Sequence, residues 1–540
     1  MTLTVRVCLM LALWVPCGAC GGVQERDAPE GDDGGDGDGD GMDPAPVEEF
    51  AVAPASPRLF LRQGQSAGLD VTIVRASDFT AAVTVELDGL PAGVSAPAVT
   101  IAAGETSGTL TVTAAGDSTQ GALDLDIIGA AESITRSARL RLVVAGEPGT
   151  LDQSFAGGGK LTFQLSGMAS TGRGLLIQPD GKVVVTGDGG DRAVTLRLNE
   201  DGSFDDSFGA AGVVTTAIGD FTGGMVVRAA RDGRLLVGGL DSPDGELLRI
   251  ALFAYTSEGA LDAGFGSGGT LVVDTAPDTS LVSDVVELAD GDFLIVGDRI
   301  AAAPAPGSLL INRVTAAGEL DPDFTITGPV LSPNATLLDG EGRLVVAGVK
   351  RDTDLQSFIA RYLPDGSPDA SFGGDGVVET NVVAGQPDLM SGLVELESGQ
   401  LLVTGHAVEG ETGFLTQLRY NPDGALDPTF GDGGIVIGAT PMLVAGNGMA
   451  AVDALGRSVV AGSSQLDDPG VLTAVARILP DGTIDTTFGD SGLVNVQFGQ
   501  GQFGASEASG IGIDPDGRIV VSAHTGDLAV SAFGVARLWP

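Results

Sequence analysis

Cysteine is nearly missing from this 540-residue chain: Cys8, Cys17 and Cys20 are the only three, all within the first twenty positions. The body has no pair from which to form an internal disulfide, and a chain long enough to bury a large core needs none. Histidine is limited to His406 and His524. With two imidazoles and no thiol in the body, a conventional zinc site has no ligand set. Aromatic residues make up 5% of the chain, and lysine is scarce. Basic residues number 28 against 72 acidic ones, a net charge of −44. Such a surface repels phosphates, which argues against a nucleic-acid partner. The apolar run Val7–Val15 is too short to span a bilayer, which takes about 20 residues.

What is present is glycine, 84 residues of it, together with Val, Thr, Asp and Leu. That mixture favours short strands joined by tight turns. The N-terminus, MTLTVRVCLMLALWVPCGACGG, has Arg6 ahead of its apolar run, the pattern of a signal peptide over residues 1–19. Its end, C-G-A-C-G, resembles a bacterial lipobox, with small Gly18 and Ala19 before Cys20. That resemblance implies lipidation of Cys20 and anchoring through acyl chains. Gly21, in place of the Asp that retains lipoproteins in the inner membrane, favours the outer membrane. The alternative is an ordinary cleaved signal peptide. Residues 20–49 form an acidic Gly/Asp/Pro stretch with too little apolar surface to fold, so a disordered tether is expected. Within it Asp36, Asp38, Asp40 and Gly41 match the opening of an EF-hand loop. The twelfth position is Val47 rather than a bidentate Glu, which leaves calcium as the lesser reading beside a solvated linker.

From residue 50 to 147, runs such as LDVTIVR (Leu69–Arg75), GTLTVTA (Gly108–Ala114) and ARLRLVVAG (Ala138–Gly146) alternate polar and apolar residues, as half-buried strands do. Seven or eight strands in about 100 residues suggest a sandwich. The segment resembles the immunoglobulin-like modules of bacterial surface proteins, though it lacks the paired Cys and the core Trp. A spacer or adhesion role is expected of it.

From residue 150 to 540 one pattern recurs. It opens with LDQSFAGGG at Leu151 and returns near 204, 261, 320, 368, 426 and 484, ending with IDTTFGDSG at Ile484. Each unit also holds a hairpin such as QPDGKVVVTG (Gln178–Gly187) or GEGRLVVAG (Gly340–Gly348) and a further strand such as AVTLRL. A period near 55 with about four strands per unit fits a blade of a β-propeller. The apolar third-strand runs VVV, LLV, LIV and IVV require cover on both faces. The expected fold is therefore all-β: an immunoglobulin-like sandwich followed by a seven-bladed propeller of four-stranded blades. PDGK-VV-G, then ARL-PDG, then LD-SFG-GG resembles the delta-60 repeat family of bacterial propeller-like proteins. That resemblance implies an extracytoplasmic propeller and no established chemistry. The unit at 320 departs most, with TITG at Thr325–Gly328 in place of the Gly-rich turn.

Two residues recur in the units. One is the Asp of the LD turn: Asp152, Asp205, Asp262, Asp321, Asp369, Asp427 and Asp485. These are expected to accept hydrogen bonds from nearby turn amides; a ring of cation sites is the alternative. The other is Arg197, Arg313, Arg361, Arg419 and Arg477, with Ala254 breaking the series. These are expected to be partly buried and bonded to carboxylates or carbonyls of their own or a neighbouring blade. Apparent motifs fail on context. GDSG at Gly489–Gly492 lies in register with the repeat's turn, so Ser491 is not read as a nucleophile. The G-x-G-x-x-G matches at Gly264–Gly269 and Gly499–Gly504 open no helical pattern. Three segments interrupt the regularity, Asp298–Ser308, Gly405–Gly413 and Gln497–Ser506, and are where function would depart from the repeat.

These readings converge on a monomer without cofactor, anchored to the envelope, that binds or scaffolds an unidentified protein or glycan without catalysis. The alternative is a propeller enzyme of glycosidase or lyase type acting on an extracellular carbohydrate or polymer.

Overall fold

Strands dominate because the sequence alternates apolar residues with turn-forming Gly, Asp and Pro at short intervals. The computed structural model describes residues 49–540 apart from 166, 302–307, 328–330, 351–354, 411, 443–448, 466–470, 499–505 and 527–530. The leader, Cys8, Cys17 and Cys20, and the tether with Asp36, Asp38 and Asp40, lie outside the described residues. No described residue is helical. The chain divides into two compact units, Lys160–Arg537 and a second that contains residues up to Gly159 together with Leu538–Pro540. The division thus falls at Lys160, just past the LD turn that begins at Leu151, where the repeat starts.

In the N-terminal unit, one sheet runs Phe50–Pro54, Ser66–Arg75, Ser107–Ala114, Val94–Ser95. The other runs Arg58–Arg62, Ile134–Ala145, Gly121–Ala131, Val83–Asp88, Val99–Ile101. Arg58–Arg62 pairs parallel to Ile134–Ala145; the remaining pairs described are antiparallel. Alternate side chains of both sheets, among them Leu69, Val71, Ile73, Val83, Val85, Leu110, Val112, Leu140, Leu142 and Val144, bury one core. Each such side chain contributes about 1.5–3 kcal/mol. Val143 and Ala145 point the other way. They pack on Trp539, which is fully buried. That placement explains why ARLRLVVAG stops alternating at its end.

The larger unit consists of seven four-stranded sheets among the described residues. The first contains Ser170–Ile177, Val183–Gly189, Arg192–Leu198 and Val213–Thr216, each strand antiparallel to the next. The sheets are one strand out of phase with the sequence repeat. The strand that follows each LD turn completes the sheet before it. Consequently Lys160–Phe163, which follows the first LD turn, pairs with Ala532–Leu538 and completes the last sheet. The first strand of each sheet packs beside that of the next, and Ser506–Ile513 packs beside Ser170–Ile177, so the succession closes on itself. Second strands such as Val183–Val185, Leu235–Val237 and Val459–Val460 are buried throughout, because both faces of their sheets are covered.

The glycine ending the VVxG motif has a geometric cause. First strands carry an extra residue, a bulge, for example between Gly172 and Gly174. This drives a carbonyl toward the second strand. A Cβ at Gly187 would sit 1.8 Å from the Thr171 carbonyl oxygen, and one at Gly405 would sit 2.0 Å from that of Leu389. In the sheet Thr279–Glu287, Phe293–Ile300, Ser308–Val314, Leu320–Thr327, the fourth strand starts at the LD motif itself. The unit at 320 therefore lacks the turn its neighbours make.

Candidate functional site

Six of the recurring carboxylates are placed by the turns that contain them, and Asp321 by the start of the strand Leu320–Thr327. In all seven, Oδ1 accepts the amide two residues on (Ser154, Ser207, Gly264, Asp323, Ser371, Thr429 and Thr487) at 2.9–3.1 Å. The second oxygen is held by arginine in four of them. Arg197, Arg361, Arg419 and Arg477 donate through Nε to Asp205, Asp369, Asp427 and Asp485 at 2.7–2.8 Å. Each guanidinium lies over the turn phenylalanine (Phe208, Phe372, Phe430 or Phe488), 4.4–4.6 Å from its centroid. Three also reach across to the following sheet, where the Ser257, Pro422 and Pro480 carbonyls accept from Nη1. Arg197, Arg361 and Arg477 are buried.

The two irregular units resolve differently. Where Ala254 replaces arginine, Arg234 reaches Asp262 at 3.3 Å. Arg313 leaves Asp321 and pairs with Asp292 at 2.9 Å and Asp290 at 2.5 Å. Asp292 stands where other hairpins carry Lys182, Arg234, Arg343, Arg457 and Arg518, so charge is exchanged between the two positions. This second basic position received no role from the sequence. Its signal is the basic residue after the hairpin glycine in DGK and DGR. Lys182 lies 3.4 Å from Asp205 and Arg343 lies 3.6 Å from Asp369, while Gln400 donates to Asp427.

These bonds set the acidity of the turns. At Asp205 burial opposes ionisation, but the Ser207 hydroxyl and amide and Arg197 outweigh it and hold the carboxyl at about 2. The Thr429 amide, its hydroxyl, Gln400 and Arg419 hold Asp427 at about 2 against the desolvation of its site. A depressed folded-state value means the unfolded chain takes up protons first as pH falls. Stability from these two groups should be complete above pH 4 and lost progressively between the ordinary 3.8 and about 2. Melting temperatures recorded from pH 5 to pH 2 check this; an Asp205→Asn, Asp427→Asn variant should show a shallower decline.

Ser491 sits in an exposed turn, where its hydroxyl donates to Asp490. Gly264–Gly269 lies in the equivalent turn before the strand Thr270–Val273, whereas Gly499–Gly504 falls outside the described residues. Of the irregular segments, 302–307, 411 and 499–505 are likewise outside them. Within Gly405–Gly413, Val408 pairs with Gly413 and Glu409 with Thr412, so this segment is a hairpin end.

The two histidines, unrelated in the linear pattern, share one structural position. Each follows the last small residue of its second strand, in register with Asp188, Leu240, Asp298, Val349 and Ser463 of the other sheets. His524 lies opposite Glu507 in the closing sheet. Beside it in the first sheet, Arg173 occupies the bulge and donates through Nε to Asp188 at 3.0 Å. Two bulge residues serve the neighbouring first strand: Ser283 donates to the Pro333 carbonyl and Asn334 to that of Met390. Ser509, like Arg173, bonds within its own sheet, to Ser522; Arg173 differs in being charged and paired with a carboxylate. Burial, then the Arg173 charge, push the His524 imidazole below its ordinary value, with Asp188 opposing; burial alone raises Glu507. Arg173, Asp188, Glu507 and His524 are thus a nonrepeating titratable group on two adjacent sheets.

Residues 178–208, 342–372, 397–430 and 456–488 match a family described as a domain of unknown function (DUF5122) beta-propeller. The chain contains a β-propeller. It is a repeat protein, and the four matches fall on the hairpin, arginine strand and LD turn of four units. No curated protein matches the chain. Among solved structures, it is similar to an endo-arabinase from Bacteroides thetaiotaomicron at 10% identity and a TM-score of 0.29, over 58% of this chain and 93% of that one. It is also similar to domains 4–9 of the surface layer protein SbsC at 11% identity and a TM-score of 0.15, over 91% and 82% of the two chains.

Proposed function

We propose that this protein is a lipid-anchored, extracytoplasmic binding and scaffold protein, in which an immunoglobulin-like module accompanies a seven-bladed propeller. One observation carries the non-catalytic reading. The carboxylates that recur around the propeller are consumed by backbone amides, and four of them also by arginines, three of these buried, which leaves them unsuited to proton transfer or to a ring of cations. The leader over residues 1–19, ahead of Cys20, and the acidic tether support attachment to the outer membrane, with the propeller carried clear of the lipid. The propeller would present its surface to a protein or glycan, as a monomer and without a cofactor. Calcium at Asp36, Asp38 and Asp40 would be a minor addition.

The glycosidase or lyase reading draws on one feature, the nonrepeating group that includes Asp188 and Glu507. Both readings are testable together. Cells expressing the full chain would be fed an alkyne fatty acid, and the purified protein would be incubated with soluble polysaccharides. The scaffold reading expects labelling that Cys20→Ala abolishes, and no release of reducing or unsaturated ends. Release of such ends that Glu507→Gln abolishes would replace it with the enzyme reading.

A further inference from the structure

We propose that the seam between the closing sheet and the first sheet binds an uncharged, hydroxyl-rich ligand, the chemistry of a carbohydrate, held by Arg173, Glu507 and His524. The inference rests on the binding reading above and names the ligand class.

Among the described residues the group occurs at a single seam, whereas the surrounding framework repeats. Where the closing sheet has Glu507 opposite His524, the other sheets described have Thr171 opposite Asp188, Gly223 opposite Leu240, Leu281 opposite Asp298, Ser332 opposite Val349 and Leu389 opposite His406. Repetition of the framework residues follows from packing; a local departure toward ionisable groups does not.

The group also holds hydrogen-bonding capacity that the fold does not use. Arg173 spends Nε on Asp188, and among the described residues its two terminal nitrogens have no acceptor; its side chain is 25% exposed. His524 Nδ1 is buried and has no partner among the described residues. Glu507 is half-buried, opposite His524, and receives no hydrogen bond from a described residue. Polar atoms withdrawn from water without partners reduce stability, so such a group is retained where an external molecule completes it.

The balance of charge narrows the ligand. A cation is disfavoured by the Arg173 guanidinium, and no described cluster offers three His, Cys, Asp or Glu ligands. A polyanion meets Asp188, Glu507 and a protein of net charge −44. An apolar ligand would bury these groups unpaired. Vicinal hydroxyls both donate and accept. They can bridge the guanidinium donors, the carboxylate acceptor and an imidazole nitrogen without adding charge.

The test uses the purified full-length protein and isothermal calorimetry. The probes are hexasaccharides of maltose, cellulose, xylan, arabinan and chitin type, with polygalacturonate and calcium chloride alongside. At least one neutral oligosaccharide should bind. Arg173→Ala and Glu507→Gln should each weaken it by about tenfold or more, with unchanged melting of the variants showing that the fold survives. Ser491→Ala should have no effect. The proposal is overturned if no neutral sugar binds, if binding persists in both variants, or if polygalacturonate or calcium is taken up instead. Cleavage of a bound sugar would overturn the scaffold reading and leave this site standing. Capture of a protein partner indifferent to both substitutions, with no sugar bound, would do the reverse.

Discussion

Replacing Trp539 by alanine should destabilise the N-terminal unit by about 3–5 kcal/mol, the range for truncating a large buried aromatic. The indole is fully buried against Val143 and Ala145, and its Nε1 donates to the Gln120 side chain at 3.0 Å. A Cβ at Gly146 would lie 2.9 Å from the ring, so the chain there is shaped around it. The backbone is fixed as well. Trp539 donates its amide to the Thr150 carbonyl, and the Gly149 amide donates to the Trp539 carbonyl, at 2.9 and 2.8 Å. Leu479, Thr483 and Gly482 make the same two bonds in an unbroken turn. Trp539 with Gly149 and Thr150 therefore rebuilds the repeat's turn from two distant pieces of chain. Hydrogen exchange should show the loss as faster amide exchange across Gly121–Ala131 and Ile134–Ala145, with the propeller strands protected as before. Trp539→Phe should cost less, because the packing is largely kept and only the Gln120 bond is given up. A Trp539→Ala protein whose exchange in those strands is unaltered would show that the contact carries no stability.

The second large effect is expected at a repeat pair. Arg361→Ala should lower stability by about 3–5 kcal/mol, because it takes from the buried Asp369 its hydrogen-bonded arginine and leaves only Arg343 at 3.6 Å. It also removes the donor to the Pro422 carbonyl in the next sheet and uncovers the Phe372 ring. Arg361→Met combined with Asp369→Asn should recover part of the loss, since Asn retains an oxygen for the Ser371 amide and no isolated charge remains. Urea titrations of the two variants decide the matter: equal midpoints would mean that the charge itself contributes little and that shape dominates. Arg313→Ala should cost less than Arg361→Ala, because its partner Asp290 is more than half exposed.

Much of this was legible because repetition turns a weak local signal into a strong one. An Asp followed two residues later by Ser or Thr is an ordinary turn. Four copies, at Asp205, Asp369, Asp427 and Asp485, each with an arginine eight positions upstream, mark a structural pair. The β-propeller could be read from the same repetition, together with apolar runs that demand cover on both faces. The phase of the sheets could not. KLTF at Lys160–Phe163 is too short to show where it belongs, and its partner Ala532–Leu538 lies at the far end of the sequence. The nonrepeating group was also hidden. His406 and His524 align only when counted from the last small residue of the second strand, and Arg173 reaches Asp188 because a bulge, invisible in a residue pattern, turns it out of the ladder.

The closing sheet has a consequence for how the protein comes into being. Gln164 donates to the Ser531 carbonyl across 367 residues, whereas the strands of an ordinary hairpin here meet within about ten. By loop-closure entropy the longer join costs about 3 kcal/mol more than the hairpin, and it cannot begin until the most distant strand has been made. Until then an edge strand waits with unpaired amides, exposed to proteases and to other nascent copies. The most hazardous moment in the life of this molecule should be its last step of assembly, and chaperones should affect yield far more than the stability of the finished protein would suggest.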